Sequence, residues 1–194
     1  MLNQISDVAD DTLLKEYQAQ NKIEILEQLL LRYRVRLFNF IYRLTRDHAL
    51  SEDILQEVSL RVIQKIKDFR PERATSFRQW LYKIAINLCR DNAKRKQALS
   101  NMELEPIAPL TGLPEFTPRL AGVATRTTDN RMEIEDLVAG LPKEQKEVIL
   151  LKVYSGLTFR EIAETLKCPL NTAISRMHYA LKTLREKVSV YDKV

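Results

Sequence analysis

The stretch TFREIAETLKCPLNTAISRMHYALKTLRE, residues 158–186, decides the fold. Thr158, followed three residues later by Glu161, is a capping-box pair that opens a helix. The run Lys167-Cys168-Pro169-Leu170-Asn171 then forces a turn. A second helix is predicted from Thr172 to Glu186, with Ala173, Met177, Ala180, Leu181 and Leu184 facing inward. Small Ala163 lets the two helices cross closely, and Leu170 is expected to plug the corner between them. This is the sequence form of a helix-turn-helix, whose second helix enters the major groove of DNA. An ordinary helical hairpin is the competing reading of this segment taken alone. Lys167 stands where such turns usually offer Gly, and a left-handed residue there costs about 1 kcal/mol.

Working outward, Leu141-Pro142 precedes a helix whose apolar content is Val148, Ile149, Leu150, Leu151 and Val153, ended by Gly156. Four of the seven prolines and two of the four glycines fall between residues 106 and 122, where neither a regular helix nor a central strand can persist. Residues 99–131 are therefore read as a flexible linker between a domain at 1–98 and another at 132–194, both of viable size for small helical bundles. In the first domain Ile25, Leu26, Leu29, Leu30, Tyr33, Leu37, Phe40, Ile41 and Leu44 recur at three- and four-residue steps. Ser51 is the expected cap of a further helix carrying Ile54, Leu55, Val58, Val62, Ile63 and Ile66. After Pro71, Thr75 or Ser76 can cap a third helix through Phe77, Leu81, Ile84, Ala85 and Leu88 to the basic end Lys94-Arg95-Lys96. Nothing alternates with period two for long, so the fold class is all-α, two small helical domains joined by a linker.

Composition removes most enzyme classes. The chain has 194 residues, 45% hydrophobic and 29% charged, which is normal for a globular protein. Four glycines leave no phosphate-cradling loop, and two histidines with two widely separated cysteines, Cys89 and Cys168, supply no metal-ligand spacing. No catalytic residue, metal or cofactor is expected. A helical nuclease would need clustered carboxylates; Asp10-Asp11 and Glu52-Asp53 are instead read as helix-end pairs. No window reaches ~18 apolar residues, and Asp7, Asp10 and Asp11 stand where a signal peptide needs basic and apolar runs. A cytoplasmic chain without membrane insertion is the expectation.

The net charge of +5 is unevenly spread. Residues 61–100 carry 11 basic and 3 acidic side chains, and residues 141–194 carry 10 and 6, separated by an acidic block with 3 and 7. Two basic blocks with an acidic spacer fit two polyanion contacts. In the first block Phe69, Phe77, Trp80 and Tyr82 interleave with Arg70, Arg73, Arg78 and Lys83. Such a mixture suits single-stranded DNA, since bases stack on rings at ~1–3 kcal/mol each while phosphates meet cations. Phe77 also continues the core stripe, and Trp80 serves either as a buried anchor or as a stacking ring. Trp80, Ile84, Asn87, Asp91 and Lys94 share one helical stripe. Between Ser51 and Ile66, Asp53, Gln56, Glu57 and Arg61 fall on one face, with Ile54, Leu55, Val58 and Val62 on the other or its border, a polar stripe beside an apolar edge that suits docking on another helix.

Residues 141–186 resemble region 4 of bacterial sigma factors of the extracytoplasmic-function type. DHALSEDILQEVSLRVIQKI, residues 47–66, and FRPERATSFRQWLYKIAINLCRDNAKRK, residues 69–96, resemble their region 2. The resemblance implies a non-catalytic initiation subunit that binds core RNA polymerase and directs it to promoter DNA. It further implies, by family habit, an anti-sigma partner. Asp53, Gln56 and Glu57, with Arg61 beside them, match the surface for the polymerase clamp helices. Asn87 and Asp91 match positions facing the −10 element, with Phe69, Trp80 and Tyr82 as candidate melting rings and Arg90, Lys94, Arg95 and Lys96 as backbone contacts. For the −35 element the candidates are Thr172, Ser175, Arg176, His178, Tyr179 and Lys182, with Arg160 as a phosphate contact. Ile174 and Tyr179 stand where relatives frequently carry basic residues, and they bring apolar surface that can meet thymine methyl groups. A stand-alone helix-turn-helix regulator is the alternative; it would need a ligand pocket or a self-complementary face in the first domain.

Overall fold

A computed structural model describes residues 9–70, 76–102 and 136–191, and among these no strand occurs. The elements are α1 (Asp10–Gln20), α2 (Ile23–Thr45), α3 (His48–Lys65), α4 (Phe77–Met102), α5 (Lys143–Leu150) running into a π-helical turn (Leu151–Ser155), α6 (Phe159–Leu166) and α7 (Leu170–Tyr191). The all-α expectation holds. Residues 99–102 complete the last turn of α4, so the linker expected to start at 99 begins no earlier than 103; its remaining residues, like the loop at 71–75, lie outside the described residues.

Local chemistry sets the helix ends. Asp47, not Ser51, caps α3: its carboxylate accepts the Leu50 N–H at 3.0 Å, and Ser51 is buried one turn inside the helix. The Ser76 hydroxyl accepts the Gln79 N–H at 3.2 Å and opens α4 as expected. At α6 the capping box is complete, with Thr158 accepting the Glu161 N–H while the Glu161 carboxylate accepts the Thr158 N–H at 2.8 Å. Partial burial pushes the Glu161 carboxyl up, but the Thr158 N–H and hydroxyl together with the Arg78 charge outweigh it and hold the carboxyl below its ordinary range. Gly156 ends the π turn at φ 66°, and Lys167 takes the left-handed conformation at φ 55°, the strained non-glycine turn read from the sequence.

The first four helices form a bundle. Leu26, Phe40 and Ile41 of α2, Ile54, Val58 and Val62 of α3, and Phe77, Leu81 and Ala85 of α4 are all buried, as their spacing predicts. Helix α1 opens at Asp10-Asp11, the acidic pair read as a helix end, but its place in the bundle was not foreseen. It seals one side with Leu13, Leu14 and Tyr17, and its Asp10 receives the Tyr33 hydroxyl and Arg32 at 3.1 Å. Ile63, read as core, is exposed because it lies at the edge of the α3 stripe. In the second half Ile162, Ala163 and Leu166 of α6 pack on Ala173 and Ala180 of α7. Leu170 and Leu181, expected inside, are 41% and 37% exposed, and Val153 faces solvent at 67%. Leu170 starts α7 rather than bridging the corner, so it projects ahead of the contact between the helices.

The two halves do not stand apart. Leu150, Leu151 and Leu157 of the second half join Phe40, Tyr82 and Ile86 of the first in one continuous apolar core. The pairing is built from residues far apart in sequence, so helical periodicity says nothing about it.

Candidate nucleic-acid interface

Helix α4 carries the first candidate surface. Its exposed stripe holds Asn87, Asp91, Lys94, Arg95 and Lys96. Because Asn87, Asp91 and Lys94 follow at four- and three-residue steps, they project from one side of the helix. No acidic side chain other than Asp91 falls among them, so the end of α4 presents cations to solvent.

The ring cluster beside this stripe is largely interior. Phe69 is 8% exposed and lies on Trp80, ring centroids 4.5 Å apart and 24° from parallel. Phe77 is buried against both, at 6.3 Å from Phe69 and 6.0 Å from Trp80. Trp80 is half-buried. Tyr82 corrects the sequence reading most sharply. It points to the opposite side of α4, is wholly buried, meets Phe40 edge-on at 5.1 Å, and donates its hydroxyl to the Tyr154 carbonyl at 2.9 Å. Burial holds its phenol neutral by pushing the pKa up. Phe69 and Tyr82 are core rings here, not stacking platforms. Arg70 and Lys83 flank the cluster; Arg73 lies outside the described residues.

Arg90 is also engaged. Its Nε and Nη2 donate to the two carboxylate oxygens of Glu147 on α5, at 2.9 and 2.6 Å. The Glu147 side chain is only 3% exposed, and this bidentate bond raises the Arg90 pKa further. Glu147 escaped the sequence reading, although a signal was present: it precedes Leu150 and Leu151 by three and four residues and so shares their buried side. Next to the pair, burial pushes the Cys89 thiol up to about 12, so it behaves as an inert apolar group.

Helix α7 carries the second surface. Ile174 is 43% and Tyr179 57% exposed, with Ser175, His178 and Lys182 exposed beside them and Thr172 and Arg176 half-buried. The same helix buries Ala173 and Ala180 against α6, so its two sides are cleanly divided. Lys182 meets Glu186 at 3.9 Å, an exposed pair that contributes little. Arg160 is exposed in the first turn of α6.

A third surface lies on α3. Asp53 and Gln56 are exposed, and Glu57 is joined to Arg61 by an i,i+4 bond of 2.6 Å, as the polar stripe predicts. Beside Gln56 an apolar groove runs between α2 and α3, lined by Leu30, Leu31, Leu55, Ser59 and Leu60. Leu31 is 61% and Leu60 57% exposed. These two leucines were not singled out from the sequence, yet both sit off their helices' core stripes, which is the signal of an apolar residue kept for something outside the fold.

The described residues contain no cluster of three metal-ligating side chains, and no helix among them is long and apolar enough to cross a membrane.

Comparison with known proteins identifies the family of the chain. Residues 29–99 match sigma-70 region 2, and residues 131–184 match sigma-70 region 4. The chain is 30% identical over 161 residues to the ECF RNA polymerase sigma factor SigW of Bacillus subtilis, covering 80% of this chain and 84% of SigW. It is 29% identical over 182 residues to SigK of Mycolicibacterium vanbaalenii, covering 93% and 89%. Among solved structures it is similar in fold to CnrH in complex with the cytosolic domain of CnrY, with a TM-score of 0.67 at 19% identity over 94% of this chain and 99% of that one. It is likewise similar to the sigma factor RpoE of Bartonella quintana in complex with the anti-sigma factor NepR, with a TM-score of 0.67 at 19% identity, covering 85% and 97%. With region 2 and region 4 present in order and a relative at this identity over most of both chains, the protein belongs to the ECF RNA polymerase sigma factors, non-enzymatic subunits that direct the polymerase to promoters.

Proposed function

We propose that this sigma factor divides its work among the three surfaces. Asn87, Asp91, Lys94 and Arg95, with Trp80, face the −10 element. Ile174, Ser175, Arg176, His178, Tyr179 and Lys182, with Thr172 and Arg160, face the −35 element. Asp53, Gln56, Glu57 and Arg61, together with the α2–α3 groove, dock on core polymerase. The observation that carries this reading is the exposure of two helix faces, one in each half: the polar and basic stripe of α4 and the divided surface of α7. Residues 1–98 and 132–194 act as the two promoter-binding domains. The chain works in the cytoplasm, and it takes an anti-sigma partner, as the fold neighbour RpoE does in its complex with NepR.

Chemistry supports each assignment. Asp91 can accept a hydrogen bond from a cytosine amino group, while Lys94 and Arg95 meet phosphates. On α7, Arg176 offers the bidentate fork that reads guanine, and Ile174 offers apolar contact to a thymine methyl. Run-off transcription with core polymerase tests the whole. Addition of this chain should yield discrete promoter-specific transcripts, and an absence of stimulation on a library of promoter fragments would reject it.

The −35 reading makes a separate prediction. Replacing Ile174 with Arg should move the preferred −35 sequence towards G, because one bidentate arginine–guanine contact contributes ~1–3 kcal/mol of discrimination. Lys182→Ala should instead weaken all sequences alike and reduce the salt slope by about 1. Selection from a randomised −35 library reads both. An unchanged motif for Ile174→Arg would mean that another face of α7 meets the DNA.

A further inference from the structure

A small cavity of about 200 Å³ lies where α2 and α4 meet the start of α5. None of its lining residues belongs to the three surfaces assigned above. Leu44 of α2, with Ile86 and Ala93 of α4, gives it apolar walls, and Arg90, Lys143, Lys146 and Glu147 line the rest. Ile86, Arg90 and Ala93 follow at four- and three-residue steps, and Lys143 stands three and four residues before Lys146 and Glu147. Each set therefore projects from one side of its helix.

The charges around this cavity do not balance. Glu147 is the only carboxylate among the lining residues, and Arg90 takes both of its oxygens, at 2.9 and 2.6 Å. Arg46, which acts on Lys146, is itself answered by Asp136 at 2.5 Å. Glu144 is exposed and outside the lining. Lys143 and Lys146 are thus left at the cavity with no carboxylate of their own among the described residues. Lys146 is half-buried, and burial together with the Arg46 charge pushes its pKa down, as befits a cation without a counter-charge. Cations removed from water are normally paired, so an anion at this place would relieve a standing electrostatic cost.

Size and wall chemistry narrow the ligand. The cavity holds about seven water volumes at ~30 Å³ each, below the ~300–1,000 Å³ that encloses a drug-sized molecule. That is room for one phosphate group and a small apolar substituent. Lysine meets phosphate as a point charge, and apolar walls strengthen the attraction by lowering the local dielectric. We propose that this cavity binds a small phosphate monoester, with Lys143 and Lys146 on the phosphate and Leu44, Ile86 and Ala93 against its organic part. Such a ligand touches α2, α4 and α5 together, so binding stabilises the folded chain by mass action. The site stands independently of the promoter and polymerase assignments.

Calorimetric titration of the full chain with phenyl phosphate tests the site, with inorganic phosphate and sodium chloride at matched ionic strength as comparisons. Phenyl phosphate should bind with single-site stoichiometry and about threefold or more tighter than inorganic phosphate, because its ring reaches the apolar walls. At roughly tenfold excess over its Kd it should raise the unfolding midpoint by about 3–6 °C. Lys146→Gln should weaken binding about tenfold or more. Without ligand this variant should melt no lower than wild type, since it removes a charge that Arg46 repels. Ala93→Leu, at an exposed position of α4, keeps every charge and should abolish binding by filling the apolar side. Heats and midpoint shifts no larger than those of sodium chloride would overturn the proposal, as would undiminished affinity in both variants. Displacement of phenyl phosphate by a duplex oligonucleotide without promoter sequence would also overturn it, assigning the lysines to DNA backbone instead. If Lys146→Gln fails to fold, Ala93→Leu decides by the same titration.

Discussion

Replacing Asp53 and Glu57 together with lysine is expected to weaken binding to core RNA polymerase at least tenfold, equivalent to ~1.4 kcal/mol or more. Both side chains lie on the outer face of α3, so helicity and thermal stability should change little. Glu57 loses its bond to Arg61, but an exposed i,i+4 pair contributes only ~0.3–0.5 kcal/mol. The loss in polymerase binding comes instead from inverting the charge pattern that orients the encounter, and it should appear mainly in the association rate and its salt dependence. Binding kinetics on immobilised core polymerase provide the measurement. Unchanged rates would place the docking surface elsewhere. Leu31→Ser together with Leu60→Ser offers the complementary arm: loss of binding with little salt dependence would locate the apolar half of the contact in the α2–α3 groove.

Phe40→Ala should produce the largest loss of stability. The ring is fully buried on α2, and its edge-on contact with Tyr82 joins α2 to α4 beneath region 4. Removing a buried aromatic costs about 3–5 kcal/mol through lost transfer free energy and the cavity left behind. For a chain of this size the midpoint should fall by roughly 10 °C. Tyr82 would lose its packing partner as well, so the hydrogen bond to Tyr154 should loosen in the same variant. Thermal unfolding followed by circular dichroism reads the effect. A change below about 1 kcal/mol would mean that neighbouring side chains collapse into the space.

Much of the protein was legible in order along the chain. The capping box at Thr158 and Glu161, the glycine stop at 156 and the left-handed Lys167 are local events, decided by residues within one turn of each other. The polar stripe of α3 and the exposed side of α7 followed from helical periodicity alone, because a helix fixes which residues share a side whatever surrounds it. Those patterns determined an all-α chain with a helix-turn-helix at one end and a helix bearing an exposed polar stripe in the other half. Neighbouring choices failed where a competing local partner existed. Asp47 took the cap from Ser51 because its carboxylate reaches the Leu50 N–H from just outside the helix.

Tertiary structure decided the rest. Composition grouped Tyr82 with Trp80 in one aromatic cluster, although two residues apart on a helix they point to opposite sides; packing then decided which side is interior, sending Tyr82 to Phe40 and leaving Trp80 half-buried. It also turned Arg90 from a free cation into the partner of Glu147, 57 positions later in the chain. A sequence window records the charge and hydropathy of each side chain, and the sum of those charges is the same whether the halves touch or not. Which two faces meet depends on shape complementarity and on desolvating opposite charges together, and both are properties of surfaces that exist only after each half has folded.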